Sequence, residues 1–222
     1  MTKNKKDEFF VSVDEKIGSA LLNEHIYFLC GEIDEAKIKH AMQWLTYENL
    51  QLGEEKILQL YINSPGGSLY DSFGLIDMMR TSQFPIRTVG VGSVMSSAFL
   101  IFASGTKGER YMYKNTGIMC HQFSDTAEGK YHDIKASVKE GDFCNHKMAE
   151  ILKYATSLDE PSVKRKFLKK IDFLLIKQKF IIENKDQNKK TSFYNIKMRN
   201  PNDTLFMEGY YESSFYFEEA KE

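Results

Sequence analysis

Cysteine is scarce in this chain: three in 222 residues, alongside four prolines and one tryptophan. Cys30, Cys120 and Cys144 are odd in number and show no C-x-x-C spacing, which argues against a disulfide framework or a cysteine zinc site. They are expected to be buried free thiols in a reducing compartment. An excess of charge is missing too. The 30 basic and 31 acidic residues leave a formal net charge of −1, so bulk charge gives no argument for a nucleic-acid or membrane partner. The first residues, MTKNKKDEFF, contain no apolar stretch of the kind a secretory signal needs. No apolar run reaches the ~18 residues of a spanning helix. The most apolar stretch, 89–104, is interrupted by Gly92 and by serines. The expectation is a soluble protein of the cytoplasm or an organelle stroma. A hydrophobic content of 42% is enough to form the core of one domain.

What is present is an alternation of short apolar runs and amphipathic stretches. IYFLC (26–30) reads as a buried strand closed by Gly31. Asp34 is placed to cap a helix over 35–50, where Ile38, Met42 and Leu45 recur at helical spacing. KILQLYI (56–62) reads as a second strand, and 69–80 as a second helix. IRTVGVG (86–92) reads as a third strand, and MSSAFLIFAS (95–104) as a buried helix stopped by Gly105. Two short strands, 110–113 and 117–121, flank the turn KNT. Strand, helix, strand, helix, strand predicts an α/β fold with a parallel sheet and crossover helices. A long amphipathic helix is expected over 133–156, weakened at Gly141. ENKDQNKKTS (183–192) reads as a solvated linker, and the aromatic, acidic last segment as one that packs on the body or meets another subunit.

Three features lie where predicted strands end. The turn SPGG follows the second strand, and its glycines let successive N–H groups point into a site. It is not a recognised phosphate loop, since neither G-x-x-x-x-G-K-[ST] nor G-x-G-x-x-G is present. A plain turn is the other reading. Ser96 and Ser97 open the buried helix, where the dipole and a free N–H would favour a developing oxyanion. A simple helix cap explains them equally. His121 ends an apolar strand, as a packed histidine or as a base. Parallel strands deliver their C-terminal ends to one edge of the sheet, where α/β sites form, and all three features lie at such ends.

Together these segments resemble the ClpP family, the proteolytic subunit of the Clp protease. LYINSPGGS is similar to that family's glycine turn. GSVMSSAFLIFASGTKGERY matches its G-x-x-x-S…A-x-G-x-K-G-x-R pattern without a gap. MCHQF matches its histidine segment and GKYHDIK the start of its long handle helix, and the likeness extends over about 14–156. The resemblance implies a crotonase-like (ClpP-type) fold: a repeated β-β-α spiral with a protruding handle helix at about 133–156. It implies a peptidase domain over 14–182, between an N-terminal segment, 1–13, and an atypical extension, 183–222. It also implies a serine endopeptidase with Ser96 as nucleophile, His121 as general base, and the N–H groups of Gly67 and Ser97 as oxyanion hole. Asp172, in KKIDFLLIK, is the candidate third member. Asp159 is the runner-up and reads better as a helix cap. No metal or organic cofactor is implied. The partners implied are further copies of the chain, in two stacked heptameric rings, and an AAA+ unfoldase that delivers unfolded polypeptides.

The chain departs from the family in two places, besides its last thirty residues, which have no counterpart in it. The family usually has proline after H-Q, with glycines soon after, where this chain reads HQFSDTAEGK. The family's ending after the aspartate is replaced by FLLIKQKFIIENKDQNKK. A catalytically impaired structural subunit of a Clp-type ring is therefore the alternative. An acyl-CoA enzyme of the same fold would leave the Ser96–His121 spacing without a role. A serine–lysine signal-peptide peptidase would need a membrane segment or a signal anchor.

Overall fold

The computed structural model describes residues 12–51, 55–156 and 158–168, and four short strands beyond. Five parallel-paired strands form the centre of the sheet: β1 (Ile26–Cys30), β2 (Leu58–Ser64), β3 (Ile86–Met95), β4 (Arg110–Tyr113) and β5 (Gly117–Cys120). They are interleaved with α1 (Val13–Asn23), α2 (Glu35–Leu50), α3 (Leu69–Thr81) and α4 (Ser97–Ala103). The long α5 (Tyr131–Thr156) follows, then the short α6 (Glu160–Val163) and a π-helical turn, Lys164–Leu168. The strands β6 (Leu174–Lys177), β7 (Phe193–Asn195), β8 (Glu208–Tyr210) and β9 (Ser214–Tyr216) extend the sheet. β7 pairs antiparallel with β4, and β6 antiparallel with β5. The α/β class and the parallel centre agree with the sequence pattern. The candidate Asp172, the linker reading of 183–192 and most of the C-terminal extension lie outside the described residues.

Local chemistry accounts for the element starts. Asp34 accepts the Lys37 amide at 2.8 Å and opens α2, whose Ile38, Ala41, Trp44 and Leu45 are buried at helical spacing. Along β2, Leu58, Leu60, Ile62 and Ser64 are buried in alternation, the period of a strand. α4 is buried all round, as a short helix must be when it sits in the core. Two expectations need correction. Helix α1 was not foreseen. It buries none of its residues and starts at a capping box, in which Ser12 and Glu15 bond each other's backbone amides. Cys30 is exposed, because it alternates outward from Leu29 on β1, while Cys120 and Cys144 are buried. Burial pushes the Cys120 thiol up to about 12, which keeps it protonated.

α5 continues unbroken through Gly141. Its second half packs inward through Cys144, Met148, Ile151, Leu152 and Ala155. Its first half buries nothing, and Val138 is 60% exposed. The helix therefore projects from the body by its N-terminal half. Arg110 secures the other end. Its Nε donates to Gly105 O at 2.7 Å and its Nη1 to Ala155 O at 2.8 Å, so one buried guanidinium joins the end of α4 to the end of α5. Desolvation lowers its pKa to about 10, which still leaves it charged at neutral pH.

Among the described residues the most buried carboxylate is Glu48, 1% exposed on α2. Its Oε2 accepts from Lys56 Nζ at 2.8 Å and from His25 Nδ1 at 2.9 Å. Lys56 is itself only 8% exposed. Removing one partner of such a pair strands the other charge, at a cost of about 3–5 kcal/mol. Glu48→Ala should therefore lower the melting temperature by roughly 10 °C, given about 2–4 °C per kcal/mol for a chain of this size. The double variant Glu48→Leu, Lys56→Met should recover most of that loss in the same thermal melt.

Candidate active site

The site is built around a bulge in β3. Ile62 of β2 pairs with Gly90, but Ser64 pairs with Val94, so β3 contains two extra residues between these points. Gly92 takes the left-handed φ of +65° there, and Asn63 Oδ1 accepts the Ser93 amide at 3.1 Å. A Cβ on Gly92 would lie only 3.0 Å from that same Oδ1. On the other side, Thr116 Oγ1 donates to Gly90 O at 2.9 Å. The bulge is where β3 changes neighbours. Thr88–Gly90 pair with β4, and Ser93–Met95 pair with β5. The strand thus runs on to Met95, beyond the expected end at 92, because Gly92 bends the strand without ending it.

Ser96 stands at the corner between β3 and α4. Its φ of +54° and ψ of −126° are strained for a residue with a side chain. Its amide donates to Met119 O of β5 at 2.9 Å, which holds the corner in place. Its Oγ lies 2.8 Å from His121 Nε2, just past the end of β5. With Nε2 as acceptor the hydroxyl donates, and the imidazole proton is on Nδ1. Both side chains are half-buried. Ser97 follows as the first residue of α4, where no preceding turn exists to take its N–H. Ser96 makes no side-chain cap bond to the helix, so its hydroxyl is free to face His121.

The glycine turn lies against this corner. Gly66 and Gly67 have φ of +99° and +149°. Ser64 Oγ accepts the Gly66 amide at 3.0 Å and sets the turn. Ile33 bridges in parallel to Gly67, using Gly66 O at 2.8 Å and the Ser68 amide at 2.9 Å. In such a bridge the bonds fall on the flanking residues, so the Gly67 N–H points away from Ile33. A Cβ on Gly66 would sit 2.6 Å from Ser96 Cβ and 3.1 Å from the Ser97 nitrogen. The turn, the serine corner and the imidazole are thus in contact or nearly so.

Of the residues singled out from sequence, Ser96 and His121 are joined by a hydrogen bond, with Gly66–Gly67 and Ser97 beside them. Asp159 is set apart as the cap of α6, accepting the Ser162 amide at 3.1 Å. Asn63, Ser64 and Thr116, which hold the bulge and the turn, were not singled out. The first two stand in the INSPGG segment, but their role appears only once β3 lies beside them. Among the described residues no cluster of His, Cys, Asp and Glu could hold a metal ion, and no helix is long and apolar enough to cross a membrane.

A hydroxyl held against an imidazole at the edge of an α/β sheet is the equipment of a serine hydrolase. Residues 11–178 match the Clp protease family, and the chain belongs to it: it is a ClpP-like serine peptidase with the ClpP-type fold. The chain is 33% identical over 148 residues to the ATP-dependent Clp protease proteolytic subunit 1 of Prochlorococcus marinus, which covers 67% of this chain and 75% of that protein. It is 32% identical over 143 residues to the protein of the same name from Salinibacter ruber, covering 64% and 61%. A third, from Prochlorococcus marinus subsp. pastoris, is 36% identical over 124 residues, covering 56% and 63%. The chain thus spans three quarters of the first of these relatives and under two thirds of the other two.

Proposed function

We propose that the chain is a serine endopeptidase that cleaves unfolded polypeptides inside an oligomeric chamber. The observation that carries this is the 2.8 Å contact between Ser96 Oγ and His121 Nε2 at a strained strand-to-helix corner. Ser96 Oγ attacks the scissile carbonyl carbon as His121 Nε2 takes the hydroxyl proton. The carbonyl oxygen becomes the oxyanion and accepts from the N–H groups of Gly67 and Ser97. The tetrahedral adduct collapses, the C–N bond breaks, and the leaving amine takes the proton from His121. Water repeats the sequence on the acyl-enzyme, freeing the acid and restoring Ser96. Asp172 is proposed to hold the imidazole in its tautomer and to stabilise the imidazolium.

Copies of the chain are proposed to form two stacked heptameric rings in the cytoplasm or an organelle stroma. The name of the relatives, an ATP-dependent Clp protease subunit, supports a Clp-type ATPase as the partner that feeds the chamber. The projecting half of α5, with Val138 and Ile134 exposed, suits a contact between copies.

The test is labelling of the purified oligomer with a fluorophosphonate, with the modified peptide mapped by mass spectrometry. Label on Ser96, lost in His121→Ala, is the expected result. A folded oligomer that takes no label, alone or with a Clp ATPase, would replace this reading with that of a structural subunit.

A further inference from the structure

The β5 ladder ends at Cys120, and residues 121–128 have no regular structure. His121 therefore stands at the first position beyond the sheet, and from Ser124 to Lys130 the chain is exposed. An imidazole on such a segment would be poorly fixed unless something holds the chain just beyond it. Phe123 is held twice. Its amide donates to Asn145 Oδ1 of α5 at 2.9 Å. Its ring lies against Gly141, where an added Cβ would be 3.4 Å from ring Cδ1. Gly141 and Asn145 are four residues apart and so share one face of the helix. A glycine in a helix interior costs about 1 kcal/mol relative to alanine, and a methyl added here would meet the ring at ordinary van der Waals distance. Asn145 sits next to Cys144, which is buried in the half of α5 packed on the core.

We propose that Asn145 is a positioning residue for His121. It takes the Phe123 N–H and so fixes the two-residue link between the imidazole and the handle helix. The inference rests on the reading of His121 as general base. The donor exists because this chain carries phenylalanine at 123, where the family usually carries proline, which has no N–H. A shift of the inner part of α5 is thereby passed to the imidazole through one hydrogen bond and one ring contact.

The test compares Asn145→Ala, Asn145→Asp, Phe123→Pro and the double variant Phe123→Pro, Asn145→Ala. Rates are taken per titrated active site, so loss of folded protein does not count as loss of rate. Asn145→Ala should slow fluorophosphonate inactivation about three- to tenfold, the value of one net hydrogen bond, and lower kcat for a short peptide equally with KM unchanged. Asn145→Asp keeps an acceptor and should regain most of the rate. In Phe123→Pro the donor is gone, so adding Asn145→Ala should cause no further slowing. Hydrogen exchange at the Phe123 amide should be at least about tenfold faster in Asn145→Ala. A wild-type rate in Asn145→Ala, or slowing that multiplies in the double variant, would overturn the latch alone. A wild-type protein that takes no label would instead remove the base assignment on which the latch rests.

Discussion

Ser96→Ala should lower peptide hydrolysis by about five to six orders of magnitude, the scale seen when the nucleophile is removed from a serine–histidine pair. His121→Ala should fall by a similar factor, and the double variant by little more, because the two groups act as one unit. Chromogenic-peptide hydrolysis, compared with buffer alone, measures this. Some acceleration over water should remain if Gly67 and Ser97 still offer their amides. The same position makes a second, opposite prediction for stability. Ser96 holds a φ of +54°, which costs a residue with a Cβ on the order of 1–3 kcal/mol. Ser96→Gly should lose activity as fully as Ser96→Ala yet melt several degrees higher than either Ser96→Ala or the wild type. Equal melting temperatures for the alanine and glycine variants would mean that the corner stores no strain.

Gly67→Ala should also lower the rate, by a smaller factor, with the hydroxyl and imidazole both intact. The new Cβ would run into the backbone of Ile33, its oxygen, nitrogen and carbonyl carbon, none of which can turn aside as a side chain could. The turn must move, and the Gly67 N–H moves with it. Loss of one oxyanion donor costs about 10²–10³ in kcat. Gly66→Ala acts on the other partner: its Cβ would meet Ser96 Cβ at 2.6 Å and Met95 O at 2.8 Å, so it displaces the nucleophile. Steady-state kinetics on a short peptide should show both losses in kcat, with KM changed far less. A variant with unaltered kcat at either position would remove the glycine turn from the mechanism.

Much of the fold is legible because burial imposes a period on the sequence. Ile38, Met42 and Leu45 announce α2, and Asp34 marks its start. Helix α1 has Val13, Ile17, Ala20 and Leu21 at helical spacing behind its Ser12–Glu15 capping box, yet it buries none of its residues. Gly92 looks like the end of a strand, because only the neighbouring strand supplies Asn63 to hold it as a bulge. The site is legible in a different way. Ser96 and His121 are each ambiguous in local pattern, and they meet across 25 positions because β5 lies beside β3, which only the sheet order provides. Their spacing from the glycine turn, through resemblance to the ClpP family, brought them together from sequence. The pairing of Phe123 with Asn145 has no such signature: it spans 22 positions and joins an irregular segment to a helix.

The exchange of neighbours along β3 also sets an order of events. Domains form from the N-terminal side as a chain is synthesised, and β1, β2 and the first part of β3 can pair before residue 110 exists. The last three residues of β3 find their partner on that side only when β5 arrives, and the amide of Ser96 waits for Met119 O. Until then nothing on that side offsets the strain at Ser96, and its backbone is free to relax to an ordinary conformation. A nascent or truncated chain that stops short of Cys120 would therefore have a Ser96 free to relax and would lack His121 altogether. Ordinary β-sheet assembly thus delays the meeting of Ser96 and His121 until β5 has paired with β3.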